Sequence, residues 1–264
     1  MPISKTLWLT LFITCTISPS ITVSADWQEA IRQGDEFYAE RHDANGGREN
    51  LEAAIKKYEE ALGGIPKKDK KSRSGVCVKL SRSHFKLAYY FAKDDDETLE
   101  LSDEGESWAK KAIKADPQNA EAYYWKAANL GLFRGIKRVS FRGGLMGGKI
   151  KEGFEKAAAL DERCEYGCAY MRLGEYLLAR GEAEEAKGYA EKSVEIEPRF
   201  LMSQIILAEI LWENGDKAGA RKILRHIAAQ QEDVLPAEIL ENRHIIKKSK
   251  MILEDLEKGH DPDW

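Results

Sequence analysis

The residues with most scope for chemistry in this 264-residue chain lie between positions 123 and 151. Gly143–Lys149 reads GGLMGGK, and G-x-x-x-x-G-K is most of a phosphate-cradling loop. Such a loop works when a strand delivers it to a helix N-terminus and a Ser or Thr after the Lys holds magnesium. Here Ile150 follows Lys149 and the preceding segment has a helical pattern, so the context argues against nucleotide binding. An electrostatic reading fits better. Arg134, Lys137, Arg138, Arg142, Lys149 and Lys151 carry positive charge with no acid among them. Gly143, Gly144, Gly147 and Gly148 open backbone conformations closed to other residues. A basic, Gly-rich loop feeding a helix N-terminus can receive a small organic anion such as a carboxylate. A long solvated insertion accounts for the same residues and stands beside that reading.

Upstream, Tyr123, Tyr124 and Trp125, with Asn129 one turn on, form the richest aromatic run. Three consecutive rings cannot share one helix face, so one or two belong to the core and one is free to line a concave surface or pore. Amphipathic rings suit a ligand with an apolar body and a polar end. The candidate ligand-binding set is therefore Tyr123, Tyr124, Trp125, Asn129, Arg134, Lys137, Arg138, Arg142 and Lys149. On the helix after Ser74, Lys79, Arg82, Lys86 and Lys93 share a stripe opposite Val76, Leu80, Leu87 and Phe91, which reads first as the polar face of a surface helix, with a second basic wall near the insertion as the lesser alternative. His42, His84, His226, His244 and His260 are scattered, with no HExxH and no nucleophile elbow. No catalytic residue, metal ligand or cofactor is expected, and the chain reads as a non-enzyme.

The elements that must position these residues are helices. Ala54, Tyr58, Ala61 and Pro66 recur in spacing as Ala186, Ala190, Ser193 and Pro198, while Gly181 and Gly215 lie one period of 34 apart. A period of about 34 residues with these spacings is the signature of tetratricopeptide (TPR) helix pairs, which must stack to bury their apolar faces. The expected fold is all-α, a right-handed TPR-like solenoid of about five helix pairs plus a C-terminal capping helix near 236–258. The pairs are expected at Asp26–Arg41 with Arg48–Leu62, Ser74–Ala92 with Glu97–Ala115, Ala120–Phe133 with Ile150–Leu160, Glu165–Arg180 with Glu182–Glu197, and Phe200–Glu213 with Lys217–Gln230. Lys67–Arg73 reads as a charged linker. The third unit breaks the period: Pro117 and its counterpart Glu162 are 45 apart, and the excess falls in an insertion at 134–149.

Residues 1–25 read as a secretory signal peptide, with Lys5, an apolar run at Leu7–Ile13, and Val23-Ser24-Ala25 as a cleavage site. Lipidation at Cys15 is the lesser alternative. Residues 26–264 then form one repeat domain, expected in the periplasm and touching membrane only peripherally. With 41 basic and 45 acidic residues the chain is formally −4, which argues against a general nucleic-acid binder. Cys77, Cys164 and Cys168 remain after the leader. A Cys164–Cys168 disulfide and two small buried thiols are both open, the latter the simpler.

AYYWKAANLG (Ala122–Gly131), IKEGFEKAAALDE (Ile150–Glu162), CEYGCAYMRLGEYL (Cys164–Leu178), GEAEEAKGYAEKSVEIEP (Gly181–Pro198) and LPAEILENRHIIKKSKMILEDL (Leu235–Leu256) together resemble the periplasmic T-component proteins associated with TRAP transporters. The resemblance implies an all-helical protein with a hydrophobic pore or groove. It implies a solute-binding protein or transporter subunit as partner, a small carboxylate-bearing ligand, and in some members a homo-trimer. Members often carry a lipidated cysteine, which this chain lacks at the expected place. Two functions follow: a ligand-binding or ligand-relay accessory of transport, or a protein–protein scaffold of the cell envelope without a small ligand.

Overall fold

The computed structural model describes residues 27–43, 45–136, 145–262 and 264, excluding the side chains of 133–136, 145 and 146. The leader, with Lys5, Cys15 and Ala25, and the stretch 137–144 lie outside the described residues. Among the described residues ten α-helices form five successive pairs: α1 (Trp27–Ala39) with α2 (Gly47–Gly64), α3 (Lys70–Phe91) with α4 (Asp95–Ala115), α5 (Ala120–Ile136) with α6 (Leu145–Leu160), α7 (Cys168–Leu178) with α8 (Ala183–Ile196), and α9 (Leu201–Glu213) with α10 (Lys217–Ala228). α11 (Ile239–Glu257) follows. No strand occurs among the described residues, and the architecture is the all-α solenoid that the repeat requires.

The repeat residues hold it together. Ala54, Tyr58, Ala61, Ala186, Ala190 and Ser193 expose no surface. Each small residue lets the neighbouring helix approach, and the stacked pairs bury a continuous core. Gly181 and Gly215 end α7 and α9 with φ of 80° and 86°. Their amides bond Leu178 and Trp212 carbonyls at 2.8 and 3.0 Å, while Glu182 and Asp216 amides bond Leu177 and Leu211 carbonyls at 3.0 and 2.8 Å. This is the Schellman arrangement, in which a left-handed residue satisfies the last carbonyls.

Three boundaries differ from the sequence reading. α3 starts at Lys70, inside the stretch expected as a linker. Asp69 accepts from the Ser72 amide at 3.0 Å, and the Arg73 guanidinium donates to the Leu62 and Ile65 carbonyls at the end of α2. α6 starts at Leu145, so Leu145–Lys149 is the first turn of a helix, and Lys149 is exposed on it. α7 starts at Cys168 because Glu165 and Tyr166 adopt φ of 47° and 60° and Gly167 follows at 78°.

α11 packs on α9 and α10 and also runs back to the 40–42 turn after α1. The Arg243 guanidinium donates to the His42 carbonyl at 3.0 Å. The two ends of the solenoid therefore meet.

Candidate functional site

α3 organises the interior of the solenoid. Lys79, Arg82, Lys86 and Tyr90 follow one another at three- and four-residue steps, so they share a face. That face looks inward. Lys86 is buried, with its ammonium 2.7 Å from Glu241 and 3.5 Å from Glu238. Arg41 completes the cluster, 3.0 Å from Glu241 and 3.8 Å from Glu238. The Arg41 and Arg82 guanidinium groups both lie over the Tyr38 ring, at 4.4 and 4.3 Å, a cation–π arrangement that holds charge against apolar surface. Burial works against ionisation of Glu241, but Lys86 and Arg41 outweigh it and hold its carboxyl low. For Glu238, burial wins over the same cations, with Glu241 adding repulsion, and its carboxyl is lifted.

The left-handed turn at Glu165–Gly167 faces this cluster. Glu165 accepts from the Trp125 indole at 2.8 Å and lies 4.0 Å from Arg82. Non-Gly residues in this region cost free energy, and here the conformation delivers Glu165 to Trp125 and packs Tyr166 on Phe200 at 5.4 Å.

Two cavities flank this polar centre, sharing Tyr89, Arg172 and Glu175. One, about 340 Å³, lies between α3, α5, α6 and α7, with Phe85, Leu132, Ile150 and Phe154 in its wall. The other, about 530 Å³, is walled by α9 and α11 through Ile205, Ile206, Glu209, His244 and Lys248, and by Trp264 beyond the end of α11. Both fall in the range of small-molecule sites. Tyr89, 52% exposed, stacks on Phe85 with ring planes 9° apart. Arg172 donates to Glu175 at 2.7 Å. Burial opposes its charge, yet Glu175 and Tyr124 keep the guanidinium firmly protonated. Burial lifts Glu209 to about 7, with Glu175 adding repulsion and Lys248 opposing.

The expected ligand set divides. Tyr124 and Trp125 are buried and in edge contact, ring centres 5.0 Å apart; they border the polar centre. Tyr123 is half-buried on another face, 6.0 Å from the Lys156 ammonium. Asn129 is fully buried: its amide donates to Ser81 Oγ at 3.1 Å and the Trp125 carbonyl at 2.8 Å. Asn129 is packed between α3, α4 and α5 and lines neither cavity. Lys149 is exposed on α6 and borders neither cavity. Lys137, Arg138 and Arg142 lie outside the described residues, as does the Arg134 side chain.

Sequence reasoning assigned Arg82 and Lys86 to a solvated face and missed Arg172, Glu209, Glu238 and Glu241. Signals existed: Glu209 is a lone acid within the apolar stretch Ile205–Trp212, and Glu238 and Glu241 are one helical step apart. Cys77, Cys164 and Cys168 are free thiols. Burial pushes Cys168 up to about 12, an inert packing thiol. Among the described residues no His/Cys/Asp/Glu group could hold a metal, and no helix is long and apolar enough to cross a membrane.

Residues 30–179, from α1 to the end of α7, match the family described as Regulator of microtubule dynamics protein 1-3. TTC0263, a thermophilic TPR protein of Thermus thermophilus, superposes with a TM-score of 0.61 at 17% identity, over 85% of this chain and 99% of that one. PilF of Pseudomonas aeruginosa superposes at 0.51 and 19% identity, over 89% and 95%. At these identities the likeness establishes the TPR-like fold. No curated protein matches the sequence.

Proposed function

Since the chain belongs to the Regulator of microtubule dynamics protein 1-3 family, whose matched region supplies α3, α5, α6 and α7, we propose that it is a non-enzymatic TPR-like scaffold whose interior holds a small amphipathic, carboxylate-bearing molecule. A TPR-like solenoid is in general an interaction scaffold. The observation that carries the finer reading is the position of α11. An open solenoid offers a groove to an extended partner. Here α11 runs back to Arg41 at the other end of the solenoid and walls a cavity of about 530 Å³, which shares Arg172 with a second of about 340 Å³ between α3, α5, α6 and α7. The smaller has an apolar wall for a chain, and Arg172, which borders both, faces the head group.

The reading sets this holder in the periplasm, behind a leader ending near Ala25, as an accessory of a solute-binding protein or transporter subunit. Edman sequencing of the exported protein starting at Asp26, from the periplasmic fraction, is the expected result.

Native mass spectrometry after mild extraction tests the ligand. The expected result is an adduct of a few hundred daltons, lost on organic extraction and reduced in Arg172→Gln. A bare protein mass from several gentle preparations, with no uptake of added dodecanoate, would leave only the interaction scaffold.

A further inference from the structure

We propose that Glu209 and Lys248 form a two-charge subsite in the larger cavity that takes a zwitterionic head group, ammonium against Glu209 and carboxylate or phosphate against Lys248 and Arg172. The proposal rests on the chamber reading above and narrows its ligand.

Glu209 lies on α9, where Ile205, Ile206, Leu207, Ala208, Ile210, Leu211 and Trp212 are all buried. Glu209 itself is half-buried in the cavity wall, where its apolar neighbours raise the cost of leaving it unpaired. Among the described residues Glu209 has no hydrogen bond and no ion pair, and neither has Lys248 of α11, which is exposed at the cavity mouth. They border the same cavity and do not close on each other. Glu175, by contrast, is taken by Arg172 at 2.7 Å.

A third group points the same way. The Trp264 indole nitrogen is buried without a partner, and Trp264 lines this cavity, packed edge-on against Trp212 at 6.4 Å. A buried donor left unmade costs free energy that a ligand oxygen recovers. With Glu175 taken by Arg172, one uncommitted carboxylate and two uncommitted donors remain in a cavity of mixed polar and apolar lining, and they complement a molecule carrying both charges. A plain carboxylate satisfies Lys248 and Trp264 but leaves Glu209 unpaired and repels it. A plain amine does the reverse. Tyr89 and Tyr90, in edge contact at 4.8 Å and both lining the cavity, add ring faces that favour an ammonium.

The chemistry fits a free amino acid with an aliphatic chain and the head group of an ethanolamine phospholipid alike. The full chain is titrated calorimetrically with 2-aminododecanoate, lysophosphatidylethanolamine, dodecanoate and dodecylamine, all below micellar concentration. Either zwitterion is expected to bind about tenfold or more tightly than both single-charge probes, and the tighter of the two names the source. Glu209→Gln should bring the zwitterion down to dodecanoate and leave dodecanoate unchanged or improved. Lys248→Met should bring it down to dodecylamine. Dodecanoate binding as tightly as the zwitterions, or an indifferent Glu209→Gln, overturns the subsite while the chamber stands. If no chain-bearing probe binds, the chamber falls and the subsite with it.

Discussion

The Arg41 guanidinium lies 3.0 Å from the Glu241 carboxylate although 200 residues separate them along the chain. Repeat proteins ordinarily contact only their neighbours, so this pair joins parts that the repeat alone keeps apart. Both side chains are almost fully buried, at 4% and 2% exposure, and Arg41 also donates to the Ala237 and Tyr38 carbonyls.

Removing one partner of such a pair leaves a buried charge uncompensated. Glu241→Ala strands Arg41 and Lys86 with Glu238 alone, and the expected loss is about 3–5 kcal/mol, read from urea unfolding. Glu29→Ala, which breaks an exposed pair with Arg32, should be close to neutral in the same assay. Similar small losses for both would mean that water reaches the Arg41 site.

The contrast explains what could be read from sequence. Helix positions were legible because the repeat spacing reports local packing: small residues at Ala54, Ala61, Ala186 and Ala190 can only face a close neighbour. The Lys79–Arg82–Lys86 stripe was not. A charged stripe opposite an apolar one is ordinarily a solvated face, and the acids that bury it come from elsewhere in the chain, Glu165 from the left-handed turn, Glu238 from just before α11 and Glu241 from its first turn. Long-range ion pairs leave no periodic trace. The Tyr124–Trp125 pair was legible as aromatic and partly core, but which ring met Glu165 depended on a turn with two non-Gly residues at positive φ.

Asn129 offers a second test. A Cβ on Gly105 would overlap the Asn129 side chain, which cannot swing away because Ser81 and the Trp125 carbonyl hold its amide. Gly105→Ala should cost about 1–3 kcal/mol by overpacking. Adding Asn129→Ala should recover part of that loss, giving a coupling energy outside the additive range. Additive effects would show that α4 simply shifts.

The Schellman glycines separate backbone cost from packing. Nothing lies within 4 Å of a Cβ built on Gly181 or Gly215, so Gly181→Ala and Gly215→Ala should each cost about 1–2 kcal/mol from the left-handed backbone alone. Asn at either position should cost less, since Asn tolerates that region. Thermal or chemical denaturation of the four variants decides it, and equal losses for Ala and Asn would point to side-chain contacts instead.

Glu209 makes stability depend on pH in a direction opposite to an ordinary surface carboxylate. The groups bordering its site from α7, α9 and α11 are Arg172, Glu175, Glu213, His244 and Lys248. Its pKa rises from 4.5 to about 7 on folding, so between those values the native state binds more protons than the unfolded chain. Stability therefore falls as pH rises through that window. Glu238, also lifted, adds to the same slope, so the wild-type profile alone does not isolate Glu209. The difference between wild type and Glu209→Gln does: the variant should be no more stable than wild type near pH 4.5 and progressively more stable up to about pH 7.5, where the gap levels off. Parallel melting curves across that range would show that Glu209 titrates as it does in the unfolded chain.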